Sequence, residues 1–123
     1  MDIGDEFISK RTITEEDIRV FGKLTGDEGI HHVETDAQGR LMAQGLLTAS
    51  LTTKIGGDLN FVAREMTFRF VRPVYADDTI ECRVTITDVR EETEFVNVSS
   101  RWTCVNQRGK EVMNGNAEGI VRS

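Results

Sequence analysis

Two stretches decide how the chain is read: Thr25-Gly26-Asp27-Glu28-Gly29-Ile30-His31-His32 and, after a short connection, Gln44-Gly45-Leu46-Leu47-Thr48-Ala49-Ser50. In the first, two glycines interrupt a helical pattern and imply a loop. That loop carries Asp27 and both histidines of the chain, His31 and His32. The second opens an apolar run, Leu46, Leu47, Ala49, Leu51 and Ile55, in which Lys54 is the one charge before Gly56-Gly57-Asp58. This predicts a mostly buried helix over 44–56.

Upstream, Thr14-Glu15-Glu16-Asp17 places a capping hydroxyl and three acids ahead of Ile18, Val20, Phe21 and Leu24. Acids favour the positive end of a helix, so a first helix is predicted from about Glu15 to Lys23, preceded by a short strand from Glu6 to Thr12. Downstream of Asn60 the period changes to two. Met66, Phe68 and Phe70 alternate with Thr67, Arg69 and Val71 until Pro73, and Ile80, Cys82, Val84 and Ile86 alternate strictly with polar residues. A third run puts Val96, Val98, Trp102 and Cys104 on one face. The last, from about Lys110 to Val121, puts Met113, Gly115, Ala117, Gly119 and Val121 on one face. Glycines weaken a strand, so the small residues there predict a close approach, with the buried helix as the natural candidate to cross. The outline is one α+β unit over residues 1–123, a curved antiparallel sheet around one long central helix.

Composition narrows the function. The chain has 123 residues, 38% of them apolar, and a net charge of −6 with no dense Lys/Arg block. That argues against nucleic-acid binding, which rests on neutralising phosphates. A phosphorylated small ligand could still meet local cations such as Lys54, Arg64, Arg69 and Arg72. No apolar run approaches a membrane span and the start lacks a leader pattern, so a soluble, cytoplasmic protein with no membrane partner is expected. Cys82 and Cys104 fall inside predicted strands rather than in a CxxC pair, and read as buried thiols.

The residues also resemble a family. Ile3-Gly4-Asp5-Glu6-Phe7, then Arg11-Thr12-Ile13-Thr14-Glu15-Glu16-Asp17-Ile18 and Phe21-Gly22-Lys23-Leu24-Thr25-Gly26-Asp27, are similar to the start of MaoC-like, (R)-specific enoyl-CoA hydratases of the hot-dog fold. Asp27 and His32 fall on that family's catalytic Asp and His. Its intervening Asn-Pro is here Gly29-Ile30, and the His-Gly that opens its central helix is here Gln44-Gly45. Phe68-Arg69-Phe70-Val71-Arg72-Pro73-Val74 resembles its later strand, and Asp77 stands for the glycine of its Gly-Asp turn.

The resemblance implies reversible addition of water to a trans-2-enoyl-CoA, with coenzyme A thioester as substrate and no cofactor or metal. Asp27 would be the base on the water, and His32 would orient it and share in proton transfer. The Gly45 N–H at the helix start would stabilise the thioester oxygen, an effect typically of roughly 10²–10³ in rate. Gln44 and Gly29 would support the site loop, Gln44 as a hydrogen-bonding residue that cannot carry a proton as His does. Arg69 and Arg72 read first as solvated strand residues and second as contacts to the phosphates of coenzyme A.

The connection from His32 to Gly45 is shorter than in the hydratases, which suggests a more open pocket or a small or unusual acyl group. The family also implies a homodimer or higher homo-oligomer. Two alternatives stay open at this level: a hot-dog acyl-CoA thioesterase, and a non-catalytic acyl-thioester-binding or scaffold subunit. A metal set of His31, His32, Glu34 and Asp36 is weaker, because adjacent histidines on an extended loop point apart.

Overall fold

The strands of a computed structural model, which describes residues 1–122, form one antiparallel sheet in the order β1-β3-β4-β5-β2. They are β1 (Glu6–Thr12), β2 (Phe61–Phe70), β3 (Thr79–Glu91), β4 (Phe95–Val105) and β5 (Glu111–Arg122). The period-two reading holds where the sheet is covered. Ile80, Cys82, Val84 and Ile86 of β3 and Val98, Ser100, Trp102 and Cys104 of β4 are buried. Cys82 and Cys104 sit directly opposite each other, both free. The neighbouring Cys82 thiol, together with burial, drives the Cys104 thiol pKa far upward.

Before the sheet comes α1 (Glu15–Thr25), then one helical turn, α2 (Ile30–Val33). α1 starts on a reciprocal cap: Thr14 Oγ1 accepts from the Asp17 N–H at 3.1 Å, and the Asp17 carboxylate accepts from the Thr14 N–H at 3.0 Å. It ends at Gly26, whose φ of 81° is the left-handed conformation glycine adopts freely.

The helix predicted over 44–56 runs longer and is not uniform. It comprises α3 (Gly45–Ala49), a 3₁₀ turn at Ser50–Thr52 and α4 (Thr53–Asp58). The Ser50 and Thr52 hydroxyls donate back to the carbonyls of Leu47 at 2.6 Å and Ala49 at 3.0 Å, local bonds that compete with regular helix geometry. Leu47, Leu51 and Ile55, spaced four apart, face the sheet and are at most 8% exposed. Burial of such side chains contributes roughly 1.5–3 kcal/mol each. Leu46, counted on the apolar helix face in the sequence, points outward at 64% exposure.

The small residues of β5 serve a different approach from the one predicted. A Cβ on Gly115 would meet the Thr67 carbonyl and lie 2.8 Å from Cζ2 of Trp102, and one on Gly119 would meet the Val62 carbonyl and lie 2.8 Å from Cζ of Phe61. What passes close is therefore strand β2, paired to β5, with Trp102 and Phe61, rather than the helix. A bulge between Ala63 and Glu65 interrupts this pairing.

The cap generates a pH-dependent prediction. Burial works to raise the Asp17 carboxyl pKa, but bonds from the Thr14 N–H, the Arg11 guanidinium and the Thr14 side chain outweigh it and hold the value low. A depressed folded-state pKa gives stability that is present above the ordinary aspartate range and lost as pH falls through the lower value. Asp17→Asn should lower the thermal midpoint by a few degrees at neutral pH, the scale of roughly 1 kcal/mol for a helix cap. In thermal melts followed by circular dichroism, that gap should close as the pH is taken below about 4.

Candidate active site

Asp27 and His32 meet across the Gly26–Val33 loop and turn. Nε2 of His32 lies 3.8 Å from Oδ2 of Asp27, with the imidazole buried and the carboxylate half-exposed. The His32 ring orientation follows from its other nitrogen: Nδ1 lies 2.8 Å from the Met42 carbonyl oxygen. A carbonyl only accepts, so Nδ1 carries a proton, and in the neutral form of the ring Nε2 presents a lone pair toward Asp27. Two acceptors thus face each other beyond direct bonding distance, an arrangement suited to a donor with two hydrogens between them.

The histidines do not lie on an extended loop as the sequence suggested. Both belong to α2, and their ring centroids are 3.9 Å apart. The turn forms because the His32 N–H donates to the Gly29 carbonyl at 2.8 Å and the Glu34 N–H to the Ile30 carbonyl at 2.9 Å. Gly29 is where the chain enters this turn, and a Cβ there would lie 3.2 Å from Cε1 of His31. Among the described residues no cluster of three or more His, Cys, Asp or Glu side chains is arranged to hold a metal ion.

Gln44 lines the same cleft as Asp27, His32 and Gly22. Its side chain is 1% exposed, and Nε2 donates to the Ile18 carbonyl at 2.9 Å and the Asp27 carbonyl at 3.3 Å. Those two acceptors settle the amide orientation and leave Oε1 buried with no partner among the described residues. A single amide therefore joins α1, the Asp27 loop and the start of α3.

Gly45 is the first residue of α3, where N–H groups lack helical partners. The structure places Phe70 against it: a Cβ on Gly45 would lie 3.2 Å from Cζ of the ring. Phe70 is a site neighbour the sequence did not single out. Its place in an alternating strand was legible, but its packing on a helix start required the fold. Arg69 alternates with Phe70 and so lies on the other face of β2, its Nη1 donating to Asn114 Oδ1 at 3.2 Å. Arg72 follows the strand and donates from Nη1 to the Glu111 carbonyl at 2.8 Å.

The connection from α2 to α3 is a tight turn. The Asp36 carboxylate accepts from the N–H groups of Gln38 and Arg40 at 2.9 Å each and from Arg40 Nε, also at 2.9 Å. The Arg40 N–H bond leads in holding the Asp36 carboxyl pKa below its ordinary value. The Arg40 guanidinium stacks 4.2 Å from the Tyr75 ring centroid.

Residues 2–115 match the model of the family described as "FAS1-like, dehydratase domain region". The chain belongs to that family. A curated relative, the (R)-specific enoyl-CoA hydratase of Rhodospirillum rubrum, is 33% identical over 122 residues, covering 90% of this chain and 81% of the relative. An R-hydratase structure from Pseudomonas aeruginosa superposes with a TM-score of 0.85 at 23% identity, covering 99% of this chain and 82% of that one. A MaoC-like dehydratase from Rhodospirillum rubrum gives 0.79 at 18% identity, covering 99% and 93%. These two structures share the fold, and the hot-dog class and MaoC-like resemblance read from the sequence are borne out.

Replacement of Gln44 tests the tie between the elements. Gln44→Leu removes the amide donor from the Asp27 carbonyl and from the Ile18 carbonyl, which keeps its helical partner in α1, at roughly 0.5–1.5 kcal/mol per lost hydrogen bond. Chemical denaturation should show a loss of that size with an unchanged slope, and hydrogen exchange should quicken at Asp27 and Glu28 more than in β3 and β4.

Proposed function

We propose that the chain is an (R)-specific enoyl-CoA hydratase that adds water across the double bond of a trans-2-enoyl thioester. The observation that carries this reading is the pair of acceptors, Asp27 Oδ2 and His32 Nε2, 3.8 Å apart, with the imidazole proton anchored on the Met42 carbonyl. Similarity to the hydratase of Rhodospirillum rubrum supports the substrate class and stereochemistry.

A water between these acceptors directs both hydrogens to them and presents its oxygen to the β-carbon of the substrate. Asp27 accepts one proton of the water as the C–O bond forms and passes it on to the α-carbon, while His32 Nε2 accepts a hydrogen bond from the water's other hydrogen and so orients it and shares in the proton transfer. Negative charge on the thioester oxygen is met by the Gly45 N–H at the start of α3. The sum of these steps moves a water molecule and no net electrons, so the chemistry calls for no redox cofactor. Arg69 and Arg72, each with one of five N–H donors engaged, to Asn114 and to the Glu111 carbonyl, keep the others for a phosphate of coenzyme A.

The functional unit in this reading is a homodimer. β2 is an outer strand that pairs only with β5 in the sheet, and it exposes Val62 at 53%, Met66 at 39% and Phe70 at 52%. An open edge with apolar side chains is the surface a second copy would cover.

Purified protein with trans-2-butenoyl-CoA should show loss of the conjugated double bond without release of thiol. Asp27→Asn should lower that rate by at least 10², the order of a lost general base. Thiol release without hydration would identify a thioesterase instead, and binding without turnover a carrier or scaffold role.

Light scattering after size exclusion should give twice the protomer mass of 13.8 kDa. Val62→Asp should shift the equilibrium toward protomer. A wild-type mass of one protomer at micromolar concentration would rule out the dimer.

A further inference from the structure

The Met42 carbonyl that anchors His32 belongs to a short antiparallel pairing held from its far side. Met42 sits opposite Tyr75, flanked by bonds from the Ala43 N–H to the Val74 carbonyl at 2.7 Å and from the Ala76 N–H to the Leu41 carbonyl at 2.9 Å. With the bonds on either side of the pair, the backbone polar groups of Met42 and Tyr75 point away from each other. On one side the Met42 N–H donates to the His31 carbonyl at 3.2 Å, and the Met42 carbonyl faces Nδ1 of His32. On the other, the Tyr75 N–H donates to Oδ2 of Asp78 at 2.9 Å, and the Tyr75 carbonyl accepts from the Asp78 N–H at 3.0 Å.

Asp78 is 8% exposed and forms no ion pair among the described residues. A buried carboxylate without a cation depends on its hydrogen bonds. Its second oxygen, Oδ1, accepts from Nε2 of Gln107 at 2.8 Å, and Oε1 of Gln107 accepts from the Thr79 N–H at 3.0 Å. Gln107 is an exposed residue of the turn between β4 and β5. The preceding Asp77 has a φ of 77°, a left-handed conformation unfavourable to a side chain, and its N–H donates to the Ile13 carbonyl at 2.6 Å. A desolvated carboxylate and a strained neighbour both cost stability, and what they secure is the direction of the Tyr75 backbone.

We propose that Asp78 and Gln107 are positioning residues for His32. Through the Tyr75–Met42 pairing they fix the carbonyl that keeps a hydrogen on Nδ1 and leaves Nε2 facing Asp27. The α2 segment is a single turn of helix, too short to hold that geometry alone. The consequence for turnover rests on the hydratase reading above, whereas the consequence for the imidazole does not.

Long-range proton–nitrogen correlation spectra of the full chain, with isotope-labelled histidine, distinguish the two ring nitrogens. His31, the one other histidine, is an internal reference on the same turn. At about pH 8.5, above the ordinary histidine range, wild-type His32 should be wholly the Nδ1–H form. Asp78→Asn and Gln107→Ala should each add an Nε2–H fraction at His32 and leave His31 unchanged. Because Gln107 is exposed, its variant keeps the test open if Asp78→Asn does not fold. In hydration of trans-2-butenoyl-CoA, Gln107→Ala should lower kcat roughly threefold to tenfold at unchanged KM, the scale of one hydrogen bond.

A His32 ring that stays wholly Nδ1–H in Gln107→Ala, an equal change at His31, or a fall in kcat with no change at His32 would overturn the inference. If the wild-type chain does not hydrate the probe while His32 shifts as expected, the hydratase reading fails and the positioning assignment stands.

Discussion

Gln44 holds an amide where water does not reach, and its N–H groups end on the backbone of two other elements, at Ile18 and Asp27. The carbonyls it satisfies belong to α1 and to the loop that carries the carboxylate, while its own backbone caps the buried helix. Without that donor, the Asp27 carbonyl loses its bond to the helix start, and the Ile18 carbonyl keeps only its bond within α1. The position of Asp27 relative to the helix start is thus set by one side chain. A glutamine amide donates hydrogen bonds but carries no proton to transfer, which suits a role in holding the loop.

The sheet supplies the other constraint. Gly115 and Gly119 allow the backbone of β2 and the rings of Trp102 and Phe61 to close on β5 within distances no side chain would permit. That approach carries β2 alongside the helix, bringing Phe70 to Gly45 at one end and Phe61 to Gly56 at the other. A cavity beside Ser100 and Trp102 lies on the inner face created in this way. The small residues that would be a weakness in an isolated strand therefore determine where the sheet and helix leave space.

Much of this was legible from residue order. Strict alternation in β3 and β4 identified their inner faces, because a strand between core and solvent needs period two. The Thr14 to Asp17 cap located α1 within two residues of its end. The central helix was found but not its 3₁₀ step, since hydroxyls that can bond locally to the backbone leave helix type undecided until packing chooses. α2 was missed because one turn of helix has no periodicity to detect. The glycines of β5 correctly signalled a close approach, yet what approaches is the paired strand β2 together with the Trp102 and Phe61 rings.

By itself the sequence determined the element order, the inward faces and the presence of one carboxylate and one imidazole in a single loop, all features carried by neighbours in the chain. Tertiary structure decided the hydrogen on Nδ1 of His32 through the Met42 carbonyl, the 3.8 Å separation from Asp27, the covering of Gly45 by Phe70 and the unpaired indole N–H of Trp102. Each of these depends on atoms remote in sequence, and the distance between such atoms is set by packing that no local pattern encodes.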